Sequence, residues 1–176
     1  MTTAMNATMN RYGSLATLAK FAFVSVGVVV AQGILSLKFQ VFAYFDLPLI
    51  YCIYYGFTLA SPKESIAIGS AMGLMQDSLS GAALGVNGFS KTLIGFVAAT
   101  AGTRFDVDQT ITRILALVVF TFSDAILKVV LEAVVRSGVA EVYTVSPGTW
   151  ALSAAFNTLL GLVLFAYRSR TQNAAA

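Results

Sequence analysis

Six residues with polar or ionisable side chains interrupt stretches of sequence that are otherwise strongly apolar. They are Asp77, Asn87, Lys91, Asp124, Lys128 and Asn157. Such side chains are costly to place among apolar groups unless they pair with one another or bind a ligand. The chemistry that they offer is charge pairing and hydrogen bonding. We therefore interpret them as one polar pocket that receives a partner segment or a lipid-like ligand.

The residue types exclude most catalytic chemistry. The chain has no histidine, which excludes His-based proton relays, His-ligated metals and Ser-His or Cys-His dyads. One catalytic alternative stays open, an intramembrane hydrolase in which Lys91 acts as the base for Ser80. The sequence holds no Gly-rich phosphate loop and no cysteine cluster. We therefore expect no enzymatic activity, no metal and no cofactor.

The most specific stretch, residues 72–91, is a polar break between two apolar runs. A helix entering from the preceding membrane face brings Asp77 only about 20 Å into a hydrocarbon core that is about 30 Å thick. We therefore expect the helix to end at residue 76 and residues 78–88 to dip back into the membrane. The alternative is a plain outer turn in which Asp77 caps backbone groups. Three glycines suit either conformation: Gly81, Gly85 and Gly88.

Composition places the chain in a membrane. Hydrophobic residues make up 57% of the 176 positions and charged residues only 11%, whereas soluble domains carry about a quarter. The net charge of +3 comes from Lys and Arg near the ends of apolar runs, so nucleic-acid binding is not expected. The single cysteine, Cys52, lies in an apolar run and forms no intrachain disulfide.

The apolar runs predict a compact bundle of six transmembrane helices, with five as the alternative. Their approximate bounds are 15–37, 47–60, 64–76, 89–102, 114–135 and 147–167. The first run lacks a clear cleavage site, so we expect a retained span. Residues 15–168 form one transmembrane domain, and residues 1–14 and 169–176 are the predicted cytoplasmic tails. Aromatic residues of the second run are typical of an interfacial belt or of a face toward a partner: Tyr51, Tyr54, Tyr55 and Phe57.

Two helix faces carry recognisable spacings. In the third run Ser65, Gly69 and Gly73 recur every four residues, a ladder of small residues that lets helices approach closely, within the subunit or across a homodimer. In the fifth run Asp124, Lys128 and Glu132 recur at the same spacing, which lets both carboxylates pair with the lysine between them. The alternative is that Lys128 and Glu132 extend to the outer interface.

Charge counting sets the orientation. Seven cationic residues fall on one side of the predicted spans: Arg11, Lys20, Lys63, Arg104, Arg113, Arg168 and Arg170. Three fall on the other side: Lys38, Lys91 and Arg136. Since cytoplasmic loops carry the excess of Lys and Arg, both termini are expected in the cytoplasm. The six pocket residues then lie in the outer half of the bundle, and residues 136–146 form an outer loop.

The residues 73–88, GLMQDSLSGAALGVNG, resemble the core motif of the rod shape-determining protein MreD family. The matching motif positions are Gly73, Asp77, Ser80, Gly81 and Gly85. The turn at residues 46–48, which begins a helix rich in aromatic residues, is also similar to that family. Asn87 stands where many relatives carry other residues.

This resemblance implies a bacterial inner-membrane component of the machinery that elongates the lateral cell wall. It implies no enzymatic activity. Its implied partner is the single-span protein MreC, and through it the actin-like MreB, the glycosyltransferase RodA and a class B penicillin-binding protein. It also implies a fold like the substrate-binding subunits of energy-coupling-factor vitamin transporters. A small-molecule-binding subunit of a vitamin-type transporter is the second functional hypothesis.

Overall fold

The computed structural model describes residues 2–59, 61–81, 83–105, 109–135 and 147–173. Within these ranges the chain forms six α-helices and one short 3₁₀ helix. The α-helices are α1 (Thr2–Lys38), α2 (Leu47–Leu59), α3 (Pro62–Ser80), α4 (Val86–Gly102), α5 (Thr110–Val135) and α6 (Pro147–Asn173). The 3₁₀ helix, Gln40–Tyr44, lies in the connection between α1 and α2. The expected all-α architecture with six helices is confirmed.

The prediction of a long break around Asp77 is wrong. α3 continues past residue 76 to Ser80, and α4 begins at Val86, so only residues 81–85 separate the two helices. Gly81 ends α3 in the left-handed conformation, with φ of 66°. Asp77 therefore lies in the last turn of α3 rather than in a loop. The helices extend this far because Asp77 accepts hydrogen bonds from the start of α4, as the site geometry shows.

The ends of the chain also differ from the expected bounds. α1 begins at Thr2, so residues 2–14, expected as a polar tail, continue the first helix. α6 extends to Asn173, beyond the expected end of the last apolar run. The expected outer loop at residues 136–146 lies outside the described residues.

α2 is short, with 13 residues, and lies at the centre of the bundle. Seven of its apolar or aromatic side chains are buried: Leu49, Ile50, Tyr51, Cys52, Ile53, Tyr55 and Phe57. A helix that is apolar all round is one surrounded by protein or lipid, and here the neighbours are the other helices. Tyr51 and Tyr55 stack in this core with ring centroids 6.3 Å apart. The expectation that they form an interfacial belt or face a partner is therefore wrong for these two residues.

Large apolar side chains lie on the surface of this bundle, and polar side chains share its core. Phe23, Leu37 and Ile111 are 82%, 89% and 78% exposed, whereas ten polar or charged side chains of the described residues are buried. The buried polar set is Ser25, Gln32, Ser65, Asp77, Asn87, Ser90, Lys91, Thr121, Asp124 and Asn157. Among the described residues, Thr110–Val135 and Gly148–Tyr167 are long and apolar enough to cross a membrane. An apolar exterior around a core that also holds charged and polar side chains is consistent with a helical membrane protein.

α3 and α4 pack with almost no space between their backbones. A Cβ atom added to Gly69 would lie 2.5 Å from the carbonyl oxygen of Lys91, and one added to Gly95 would lie 2.9 Å from that of Ser65. At Gly73 the added atom would overlap the backbone of Asn87. The ladder of Ser65, Gly69 and Gly73 thus lies directly against α4, which brings the polar start of α4 beside Asp77.

We expect Gly69→Ala to destabilise the protein by about 1–3 kcal/mol, because the methyl group forces two backbones apart. The measurement is the unfolding midpoint in detergent, detected with a thiol-reactive dye that labels the buried Cys52 only when the bundle opens. Gly27→Ala is the matched control, since a Cβ at Gly27 meets nothing within 4 Å. That control should leave the midpoint unchanged or raise it. Equal effects at both glycines would contradict the packing argument.

Candidate functional site

Four charged side chains from two helices, α4 and α5, and from the connection before α2 form a closed ring of alternating charge. Asp46 Oδ2 lies 3.1 Å from Lys91 Nζ and 2.8 Å from Lys128 Nζ. Asp124 lies 2.6 Å from Lys128 Nζ and 4.0 Å from Lys91 Nζ. We call Asp46, Lys91, Asp124 and Lys128 the charged ring. Since two carboxylates face two ammonium groups, the ring is neutral, which is what a low-dielectric interior requires of buried charges.

Asp46 joins the ring to the start of α2. Its Oδ1 accepts a hydrogen bond of 3.0 Å from the backbone N–H of Leu49, so Asp46 is also the N-cap of that helix. Burial raises the pKa of the Asp46 carboxyl, but the ammonium groups of Lys128 and Lys91 outweigh burial and hold this pKa well below its usual range. Asp46 is therefore a carboxylate with both oxygens engaged.

The connection that carries Asp46 is held from two sides. Gln32 of α1 donates to the carbonyl oxygens of Phe42 and Phe45 at 3.0 and 2.8 Å, and accepts from the N–H of Leu47. Asn157 of α6 accepts a hydrogen bond of 2.9 Å from the N–H of Asp46. The connection is thereby fixed to α1 and α6, and its carboxylate is aimed at α4 and α5.

Asp77 caps α4 from outside that helix. Its Oδ2 accepts from the N–H groups of Gly85 and Gly88 at 2.8 and 3.1 Å, and its Oδ1 from the N–H of Asn87 at 3.1 Å. Gly85 occupies the N-cap position and has no side chain to satisfy these donors. Of the two interpretations of Asp77, the geometry matches capping of backbone groups.

Asn87 connects the Asp77 cap to the charged ring. Its side-chain amide donates to Asp77 Oδ1 at 2.8 Å, and its carbonyl oxygen accepts from Lys91 Nζ at 3.1 Å. Ser90 adds a second link, since its hydroxyl donates to Asp124 Oδ1 at 2.5 Å. The structure therefore brings all six predicted pocket residues into one connected polar network, with Asn157 attached through the backbone of Asp46.

The network is closed on one side and open on the other. The side chains of Lys91 and Asp124 are 0% and 5% exposed, whereas those of Asp46 and Lys128 are 13% and 26% exposed. Any ligand or partner group reaches the ring at the edge between Asp46 and Lys128. Glu132, one helical turn further along α5, is partly buried near that edge.

A shallow groove of about 320 Å³ lies apart from the polar network, between α5 and α6, and its lining contains none of the predicted pocket residues. The lining residues are Val118, Ala154, Ala155, Thr158, Leu159 and Leu162. Within the described residues, no group of three His, Cys, Asp or Glu side chains is placed to hold a metal ion.

The geometry does not favour the proposed serine hydrolase. Ser80 is exposed at the end of α3, whereas Lys91 is fully buried with its ammonium group bonded to Asp46 and Asn87. A general base must lie within hydrogen-bond reach of the hydroxyl that it deprotonates, and Lys91 Nζ points to Asp46 and Asn87 instead.

Comparison of the whole sequence with known protein families decides the assignment. Residues 13–170 match the family described as rod shape-determining protein MreD. The chain belongs to the MreD family. No curated protein and no solved structure gives a match. The resemblance seen in residues 73–88 therefore extends over nearly the whole chain, and it places the chain in a family of rod shape-determining proteins.

The MreD motif residues lie at the junction of α3 and α4. Gly73 packs against Asn87, Asp77 caps α4, and Ser80 is the last residue of α3. Gly81 and Gly85 both have positive φ, 66° and 100°, a conformation that suits glycine. The motif thus describes a tight helical hairpin with an internal cap, and its serine is not part of the charged ring.

Sequence reasoning missed three members of the network in this MreD chain: Gln32, Asp46 and Ser90. Asp46 offered a signal, because an aspartate directly before a short apolar helix is a typical N-cap residue. Gln32 is a strongly polar residue inside an apolar run, which is another usable signal. Ser90 offered none, since a lone serine is common in membrane helices.

Proposed function

We propose that this MreD-family chain is a non-enzymatic scaffold of the machinery that elongates a rod-shaped bacterial cell. It works in the cytoplasmic membrane beside peptidoglycan synthesis, and it binds an MreC-like single-span protein. Through that protein it communicates with MreB, RodA and a class B penicillin-binding protein. The observation that carries this proposal is the family match over residues 13–170.

The polar network supports a scaffold rather than a small-molecule site. Its carboxylates and ammonium groups are bonded to one another and to backbone groups, so they stabilise the arrangement of α2, α3, α4 and α5. A ligand site would leave polar groups converging on an enclosed space. The exposed apolar side chains of the outer helices are surfaces on which lipid or a partner helix packs.

The proposed arrangement in the membrane has six spans and both termini in the cytoplasm, as positive charges predict. The bundle then resembles the substrate-binding subunits of energy-coupling-factor transporters. Its charged ring lies toward the outer face, since α2 and α4 begin there and α3 ends there. The second candidate function, vitamin binding, would use the same fold with an outward-facing pocket.

Co-purification tests the scaffold proposal. The full chain is co-expressed with the MreC-like protein of the same bacterium, and retention of that protein is measured after affinity purification in detergent. We expect retention by the wild type and by Ser78→Ala, which removes an exposed hydroxyl beside the site. We expect strong loss for Asp77→Ala, since the α3–α4 hairpin loses its cap. Cys52 labelling, carried out in parallel, separates lost binding from global unfolding.

Two results would contradict the scaffold proposal. The first is wild-type chain that retains none of the MreC-like protein. The second is a vitamin that stays bound through purification, identified by mass spectrometry of the denatured sample. The second result would instead support the transporter subunit.

A further inference from the structure

At the open edge of the charged ring, one carboxylate has no counter-charge among the residues that the structure describes. Glu132 is partly buried on α5, and among the described residues it has neither an ion pair nor a hydrogen bond. Of the two interpretations of Glu132, pairing with Lys128 does not match the geometry, because Lys128 Nζ bonds Asp124 and Asp46 instead. The positive charge of Lys128 is thus already balanced inside the ring.

The position of Glu132 keeps it clear of α4. Followed backward from Lys91, α4 reaches its first residue after five residues, about 7 Å. Followed forward from Asp124, α5 reaches Glu132 after eight residues, about 12 Å. From the ring, these two helix segments extend toward the same end of the bundle. Glu132 therefore lies beyond the end of α4, on the helix face that carries Lys128.

We propose that the edge formed by Asp46, Lys128 and Glu132 binds a cationic side chain, an arginine or lysine on a partner segment. This inference rests on the proposed function, which supplies the partner as a single-span protein. The cation lies in the residues next to the outer end of the partner's span, at the depth of Glu132.

The charges select a cation over an anion. The ring is neutral, and the negative charge of Asp77 is offset by the N-terminus of α4. Glu132 is then the one uncompensated charge among the described residues at this edge. An arginine is the better fit, because its guanidinium group binds a carboxylate through two parallel hydrogen bonds and is weakly hydrated. A partly buried pair of this kind adds specificity to an association otherwise driven by apolar packing.

Charge variants of the full chain test this inference with the co-expressed single-span protein. We expect Glu132→Gln to reduce its retention several-fold and Glu132→Lys to reduce it at least tenfold. Leu84→Lys is the matched control for an added positive charge, because Leu84 is 71% exposed in the α3–α4 connection. Retention should be unchanged for that variant. Cys52 labelling at the wild-type rate in each variant shows that the bundle is intact.

Charge reversal in the partner identifies the cation. Each Arg or Lys within two turns of the outer end of the partner's span is changed to Glu in turn. We expect one of these partner variants to bind the wild-type chain more weakly than the unchanged partner does. The same partner variant should bind the Glu132→Lys chain again. Retention of the partner by Glu132→Lys at the wild-type level overturns the inference and leaves the scaffold proposal standing. If Arg136→Glu, introduced into the Glu132→Lys chain, restores retention of the partner, the inference is also overturned. If the wild-type chain retains no partner, both this inference and the scaffold proposal are contradicted.

Discussion

Asp46→Ala is expected to destabilise the bundle by about 3–5 kcal/mol, the cost of removing one partner from a buried ion pair. Asp46 bonds two lysines, and Lys91 has no exposed surface on which water could replace the lost carboxylate. The same change removes the N-cap of α2, the helix at the centre of the bundle. In native detergent micelles the rate of Cys52 labelling should rise roughly a hundredfold or more, since each 1.4 kcal/mol is about a tenfold change in the open population.

Two further variants separate charge from capping. Asp46→Asn keeps an acceptor for Leu49 but removes the charge, so we expect it to retain the cap and lose the ion pairs. Adding Lys128→Met to Asp46→Asn restores neutrality, because Lys91 and Asp124 then remain as one pair. The double variant should be more stable than Asp46→Asn alone. If the double variant is less stable, the ring does not act through charge balance.

The helices were predictable because their signals are local. Long apolar runs separated by charged residues mark membrane helices directly, and Pro62 at the start of α3 marks a helix beginning. The ladder of Ser65, Gly69 and Gly73 indicated close packing by residue size alone. None of these signals depends on which helices meet in the folded chain.

The break around Asp77 was mispredicted because its decisive contacts are tertiary. A polar residue followed by glycines reads locally as the end of a helix and a loop. The last turn of α3 instead persists because the carboxylate accepts hydrogen bonds from three N–H groups at the N-cap and in the first turn of the next helix. Sequence spacing gives the residue types for such a cap but not the hairpin geometry that closes it.

Only part of the charged ring was predictable, because one of its pairs is local in sequence and the others join distant residues. The spacing of Asp124 and Lys128 predicts one pair on a helix face, and the structure places that pair at 2.6 Å. The same spacing also allows Glu132 as a partner of Lys128, but Asp46 occupies that role from 82 residues away. Competition between a local and a distant carboxylate is settled by packing, and the α1–α2 connection is fixed close to α5 by Gln32 and Asn157.

Asp77→Leu is expected to be among the most damaging single substitutions in the chain, at about 4–5 kcal/mol. It leaves the N–H groups of Gly85, Asn87 and Gly88 without their acceptor at a largely buried junction. It also frees the amide of Asn87, which positions the ammonium group of Lys91. The α3–α4 junction and the charged ring should therefore loosen together, and Cys52 labelling should accelerate as strongly as in Asp46→Ala.

Asp77→Asn distinguishes hydrogen bonding from charge at this junction. The asparagine keeps one acceptor oxygen and places an NH₂ group where two N–H donors point, so we expect a loss of about 1–3 kcal/mol, milder than that of Asp77→Leu. Ser78→Ala is the neighbouring control and should behave as the wild type, because its hydroxyl bonds only its own helix. Equal and complete loss in Asp77→Asn and Asp77→Leu would mean that the negative charge at the N-terminus of α4 is itself required. In that case Asp77 acts on the dipole of α4 and on Lys91 beyond it, and the junction is held by electrostatics rather than by the count of hydrogen bonds.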